Sequence, residues 1–363
     1  MLQNVFNRLL SHASGRTIVV PLSGGYDSRL IVLMLKKIGY QNIIAFSYGR
    51  PGNEEAKTSK SVAEQLGIIW EFVPYSNELW YEWYRSREMK TYFKYADGLA
   101  SLPHIQDWPA VKVLKQQKRI PDDAVFVPGH SADLPAGSRS KSLPDLYKGE
   151  TSSERLIEAI TGYHYNLYDW SKKQKNLSSY FEKKIWKVLG DLDQYPDQAS
   201  AFESWDISER QPKFIVNSLR VYEFFGYDWW IPFWDKEFMD YWCRISPDKR
   251  INQSLYKNYV NVLATNYGIE IKKDDHKTFL SKRKTLTVAK RFLPKTLKGY
   301  LRVKFFLQLK DTQPLAYWGR YPRDELIQLL RKGFSAPGVA TYYYFQWLTK
   351  DESIKKSSSQ SSS

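Results

Sequence analysis

The stretch TIVVPLSGGYDSRLIVLML, residues Thr17 to Leu35, decides how the rest of the chain folds. A β-branched run, Thr17 to Val20, empties into Ser23-Gly24-Gly25-Tyr26-Asp27-Ser28, and an apolar helical run follows. The order is strand, tight loop, helix. In a parallel α/β unit such a loop turns its backbone N–H groups and the positive end of the helix dipole outward, which suits an anion such as phosphate. Gly24 and Gly25 remove side chains that would block close approach, and Ser23 and Ser28 add hydroxyl donors. The loop is not a Walker A motif, because GxxxxGK[ST] is unmatched and no lysine closes it.

Working outward, residues 1–15 have the spacing of a short amphipathic helix that caps the domain. The helix after the loop ends near Gly39, a second buried strand spans Ile43–Ser47, and the turn GRPGN leads to a helix opened by Asn53-Glu54-Glu55 and closed at Gly67. A third strand follows, Ile68–Val73. This βαβαβ order predicts a parallel sheet with right-handed crossovers and helices on both faces, an α/β fold whose ligand sits at the carboxyl ends of the strands. A fourth apolar strand, Ala124–Val127, runs into Pro128-Gly129-His130-Ser131-Ala132-Asp133-Leu134, a second acid-bearing turn facing the same cleft. The chain divides into an α/β core over residues 1–140, a mainly helical C-terminal part over 141–350 and a low-complexity, disordered Lys/Ser tail over 351–363.

With 363 residues, 42% hydrophobic and 26% charged, the composition is globular. The net charge of +15 favours nucleic acid, anionic lipid or acidic small molecules without choosing among them. Cys243 is the single cysteine, which excludes an intramolecular disulfide and a cysteine-built metal site. No apolar run approaches the roughly 18 residues of a membrane span, and the N-terminus lacks a signal peptide's apolar core, so a cytoplasmic protein is expected.

Two aromatic and basic stretches admit more than one reading. Residues 78–95 interleave seven aromatic residues with Arg85, Arg87, Lys90 and Lys94; a half-buried helix accounts for them more simply than a base-stacking platform. From Lys282 to Lys310 there are ten Lys/Arg and no acid, a pattern that suits peripheral contact with an anionic membrane at its inner face, RNA, or simply a solvated basic helix face.

Three separated motifs together resemble the synthetase domain of asparagine synthetase, a PP-loop ATP pyrophosphatase, and more closely the asparagine-synthetase-like proteins of surface-polysaccharide gene clusters. They are SGGYDS with the following NEEAKTSKSVAEQLG helix, PGHSAD in the place of the family's GEGADE loop, and Ile231-Pro232-Phe233-Trp234-Asp235-Lys236-Glu237-Phe238 in the place of VPFLDKxF. The resemblance covers roughly residues 17–260 and implies an adenine-nucleotide alpha-hydrolase-like fold. It assigns Ser23, Gly24, Gly25, Ser28 and Gly129 to ATP, Asp27 and Asp133 to Mg²⁺, and Lys257 to the phosphates, where a fixed cation stabilises charge on the α-phosphate and the departing pyrophosphate.

The departures bear on the acceptor. His130 replaces the glutamate thought to handle the ammonia proton; a histidine of near-neutral pKa suits a base, and a structural cap of the turn suits it equally. Asp228 and Trp230 stand where the family's VEARVPFLD has Glu and Arg beside the acceptor, so aspartate is not the expected acceptor. Met1-Leu2 stands where a glutaminase domain would open with cysteine, which implies ammonia from solution or a separate glutaminase. The resemblance therefore implies adenylation of a carboxylate, of a uronic-acid-type sugar by analogy, followed by amide formation. The rivals are a PP-loop tRNA-modifying ligase and a degenerate, non-catalytic nucleotide-binding partner.

Overall fold

Alternation of side chains across the strands sorts the core into two layers. In the computed structural model, which describes residues 1–98, 101–149, 152–165, 175–269 and 295–347, β1 (Ile18–Pro21), β2 (Ile43–Gly49), β3 (Ile69–Pro74), β4 (Val125–Phe126) and β5 (Asp228–Trp229) form one parallel sheet in the order β3-β2-β1-β4-β5. Ile18, Val20, Ile43, Ala45 and Val125 point into one layer, with α1 (Leu2–Ala13), α2 (Tyr26–Lys37) and α3 (Glu54–Gln65). Val19, Ile44, Phe46 and Phe126 point into the other, with α4 (Asn77–Arg85), α5 (Arg87–Ala96) and α6 (Trp108–Gln116). Period-two alternation along a pleated strand produces this division, and burial on both faces explains why the strands are almost wholly apolar.

The order of the strands reverses between β1 and β4: from β1 the chain winds outward through β2 and β3, then returns to the other side. That reversal opens a crevice at the carboxyl ends of β1 and β4, where the first and second acid-bearing turns lie. β5 comes from beyond residue 140 and is only two residues long, too short to announce itself by periodicity within YDWW.

The aromatic stretch 78–95 is two half-buried helices, split where Ser86 accepts the amide of Met89 as a cap. Trp80, Tyr84, Tyr92 and Phe93 are buried and Tyr81 and Tyr95 exposed. Of the basic run, residues 282–294 lie outside the described residues, as does the 351–363 tail. The helix Lys295–Thr312 packs Phe306, Leu307 and Leu309 against the core. Among the described residues no helix is long and apolar enough to cross a membrane.

Candidate active site

The first loop is shaped by its own hydroxyls. Ser28 Oγ accepts the amide of Ser23 at 3.0 Å and lies 3.2 Å from Ser23 Oγ, while Gly25 N donates to Ser23 Oγ at 3.2 Å. Ser28 is thereby buried and spent on organising the turn, whereas Ser23 and Gly25 face solvent at the mouth of the crevice. Gly25 is the N-cap of α2 and supplies no side-chain hydrogen bond, so the first-turn amides of the helix keep their capacity for an anion.

Gly129 fixes the second loop against the first. A methyl group on its Cα would sit 2.7 Å from Ser28 N and 2.9 Å from Asp27 Cβ, so only glycine permits this approach. Two residues on, Ser131 adopts φ +72° and donates Oγ–H to Gln211 Oε1 at 3.1 Å. The loop is braced from behind by buried pairs that the helical part supplies. Arg139 donates from Nε and Nη2 to Asp206 at 3.2 Å, and Arg250 Nη1 binds both Glu203 oxygens, at 2.8 and 2.6 Å, and Pro135 O at 2.9 Å. Glu203 also accepts the Tyr147 hydroxyl. Gly137, at φ +94°, lies directly on the Arg250 backbone. The polar helices of 141–210, which carry no chemical motif, therefore hold Asp133 in place.

The third element enters through an unusual turn. Asn252 and Gln253 are both left-handed, at φ 57° and 59°, immediately before the helix Ser254–Thr265. Asn252 N donates to Ser140 Oγ at 2.8 Å and Gln253 Nε2 to Asp133 O at 3.4 Å, which ties this turn to the second loop. The first turn of the helix then faces Asp27. Tyr256 Oη donates to Asp27 Oδ1 at 2.8 Å, and Lys257 Nζ stands 5.7 Å from the centre of the Tyr26 ring.

Asp27, Asp133 and Lys257 thus meet in one place. Burial, and after it the neighbouring Asp133 carboxylate, push the Asp27 carboxyl from its ordinary 3.8 up to about 7, against the pull of the Tyr256 hydroxyl and the Lys257 charge. Two carboxylates held this close without a cation between them repel each other, and a divalent ion relieves that repulsion. Among the described residues no cluster of three or more His, Cys, Asp and Glu could hold a metal by itself. A two-carboxylate donor set fits Mg²⁺ that arrives with phosphate oxygens, since this ion keeps most of its shell from water and substrate phosphates.

His130 lies half-buried on the second loop, its Nδ1 without a hydrogen-bond partner among the described residues. Burial lowers its pKa to about 4, with the Asp107 and Asp133 carboxylates opposing and His104 assisting. Desolvation leaves it an uncharged imidazole at pH 7, below the near-neutral range that suits the base reading and compatible with the structural cap.

Asp228 and Trp230 are not brought to the crevice. Asp228 is level with Val125 and Ile18, about 10 Å below the carboxyl end of β1 at the rise of a strand. Its carboxylate is held by His12 Nε2 at 2.8 Å and Arg16 Nη2 at 3.1 Å, and the Trp230 ring packs 4.8 Å from His12. Both residues serve the seat of α1. Asp235 of the third motif does the same: it caps the helix Lys236–Cys243 and takes Arg8 at 2.8 and 2.7 Å.

Tyr256 is the functional neighbour that sequence reasoning missed. Its one signal is adjacency to Lys257, which becomes informative only once the helix phase is known. Asp107, buried between the hydroxyls of Tyr48 and Tyr222 and within electrostatic reach of His130, is likewise unmarked in the sequence, as an isolated acid before a helix.

No curated protein matches the chain. Among solved structures, it is similar to an NH3-dependent NAD synthetase from Campylobacter jejuni subsp. jejuni NCTC 11168 in complex with the nitrate ion, at 11% identity over 51% of this chain and 90% of that chain, with a TM-score of 0.27. The profile of the asparagine synthase family matches residues 11–268, which takes in both acid-bearing loops, the Tyr256-Lys257 helix and all five strands. Matched over well more than half its length, the chain belongs to the asparagine synthase family.

Proposed function

We propose that this protein is an ATP-dependent, AMP-forming amide ligase. The observation that carries the reading is the meeting of Asp27, Asp133 and Lys257 at the reversal point of the sheet, beside a helix N-terminus with free amides. A substrate carboxylate oxygen attacks the α-phosphorus of ATP; the new O–P bond forms as the bond to the β-phosphate oxygen breaks, giving an acyl adenylate and pyrophosphate. Ammonia then bonds to the acyl carbon, the C–O bond to AMP breaks, and the proton lost from nitrogen goes to a base.

The chain's part is positioning and electrostatics. Gly24, Gly25 and the first turn of α2 bind phosphate oxygens, with Ser23 at the mouth and Ser28 holding the turn. Asp27 and Asp133 would hold Mg²⁺, which supplies charge neutralisation at the phosphates. Lys257 places a cation where negative charge accumulates. In this reading the neutral ring of His130 on the second loop takes the ammonia proton, acting as a weak base. The acceptor is a uronic-acid-type sugar of a surface-polysaccharide precursor, a reading supported by the likeness of the three motifs to that branch, and ammonia comes from solution or a separate glutaminase.

AMP and pyrophosphate released from α-labelled ATP, assayed with ammonium and a panel of uronic acids and other carboxylates, test this. AMP that depends on a carboxylate is expected, and Lys257→Met should lower it by about tenfold or more while leaving the fold intact. A folded protein that makes no AMP with any carboxylate would refute the ligase; AMP elicited only by tRNA would move it to the tRNA-modifying branch.

A further inference from the structure

Beyond the family-matched residues, the segment 313–340 and the loop Leu102–Gln106 line a half-open pocket of about 490 Å³. Phe93, Phe214, Tyr317 and Trp318 form its walls, with Ala336 and Ala340 on one side. The volume is in the range of small-molecule pockets. One charged side chain lines it, Arg320, which is 2% exposed.

Among the described residues Arg320 has no counter-ion: no carboxylate pairs with it, and its buried Nε and Nη1 have no hydrogen-bond partner. Its guanidinium lies over aromatic rings instead, 3.2 Å from the centre of Tyr317, 4.5 Å from Tyr321 and 5.6 Å from Tyr84. Burial pulls its pKa below the ordinary value, with Tyr321 and Tyr84 opposing, the direction expected of a buried cation without a carboxylate partner. Ring faces stabilise a guanidinium by a few kcal/mol at most, well short of the desolvation of an isolated charge.

The arginine is also held in place from outside the cavity. Gly319 packs so closely on the Asn77 backbone that any side chain would collide, 2.6 Å from Asn77 O, and Arg85 Nη1 donates to Arg320 O at 3.0 Å. A surface arginine that had merely folded inward would lack such anchoring. Across the cavity, His104 bonds Gln106 at 3.2 Å, keeps a buried Nδ1 free, and stands within electrostatic reach of His130 on the second loop.

We propose that this cavity is an anion pocket for the acceptor substrate: Arg320 seats a carboxylate or phosphate, and the aromatic walls take the flat apolar or sugar-ring body that bears it. Arg320 offers the paired N–H geometry that both anions fit. The pocket itself stands on the cavity and the unpaired arginine; its assignment to the acceptor rests on the ligase reading.

Calorimetric titration of the full chain with benzoate, phenyl phosphate, benzyl alcohol and, separately, Mg·ATP tests the pocket and distinguishes its failure from that of the ligase reading. One or both anions should bind at least tenfold more tightly than benzyl alcohol, and the preferred one tells carboxylate from phosphate. Arg320→Met should erase that preference without lowering the melting temperature, because a buried unpaired charge is exchanged for an apolar side chain of similar length. Ala340→Trp, which fills the cavity and keeps the arginine, should abolish binding of every probe. Equal affinity for benzoate, phenyl phosphate and benzyl alcohol, or an anion preference that survives Arg320→Met, would overturn the pocket. Mg·ATP binding with no anion binding would sink the pocket and spare the ligase; anion binding without Mg·ATP binding would do the reverse.

Discussion

The two ends of the sheet carry aspartates of similar prominence in the sequence and opposite surroundings. At the amino end, Asp228 meets His12 and Arg16, and beside the same α1 seat Asp235 meets Arg8, so each charge is neutralised by a side chain of the chain itself. At the carboxyl end, Asp27 and Asp133 lie within electrostatic reach of each other; Asp27 has the Lys257 charge and the Tyr256 hydroxyl beside it, and Asp133 feels Arg139 and Arg210 without a direct ion pair among the described residues. A carboxylate in contact with its own arginine is finished as a structural element, whereas under the proposed function the Asp27 and Asp133 carboxylates would share a divalent cation.

The strongest challenge to this contrast is Asp27→Asn. It retains the Tyr256 bond and removes the buried charge, so Mg·ATP affinity should fall at least a hundredfold by calorimetry while the melting temperature holds or rises. A melting temperature that drops sharply would place Asp27 with the structural aspartates. Next comes Gly129→Ala, whose methyl group would strike Ser28 N. It should cost about 1–3 kcal/mol in denaturant unfolding, the range of an overpacked contact, and weaken nucleotide binding with it.

A change of pH sharpens the comparison at the scale of one proton. With its carboxyl near 7, Asp27 must lose a proton before it can share a cation. Lowering the pH from 8 to 6 should therefore weaken Mg·ATP binding about tenfold, with proton release visible as a buffer-dependent heat. In the ligand-free protein the sign is the reverse of a salt-bridged acid: the native state keeps a proton that the unfolded chain gives up, so the contribution of Asp27 to stability declines as pH rises from about 4 to 7. Asp133→Asn should move the inflection of both curves to lower pH. The smallest effect is expected of Asp228→Asn, which touches a half-exposed pair and should cost under about 1 kcal/mol with nucleotide affinity unchanged.

The sequence shows the carboxyl end of the sheet clearly. Strands β1 to β4 and the two loops are local patterns, an apolar run emptying into a glycine turn, and the observed spans differ from the expected ones by a residue or two. β5 is hidden because two residues have no period. The braces Arg250–Glu203 and Arg139–Asp206 are hidden because they join residues 47 and 67 positions apart through burial, which no spacing announces. Asp228 and Trp230 show the converse: their place in a motif is legible, but the register of β5 puts Asp228 at the amino end, and Trp230 packs on His12 of α1. The low pKa of His130 depends on desolvation, a property of the packed site alone.

The hydrogen bond between Tyr256 and Asp27 spans 229 residues of chain. On a ribosome adding about 5–20 residues per second, the anion loop waits roughly 10–45 s between its own emergence and that of the helix that completes it. Within that interval β1 has β2 on one side and an open edge on the other until β4 arrives, after which the open edge is that of β4 until β5 pairs with it. Synthesis thus exposes the Ser23–Ser28 loop before Tyr256 and Lys257 exist, and leaves one edge of the growing sheet unpaired until β5 is made.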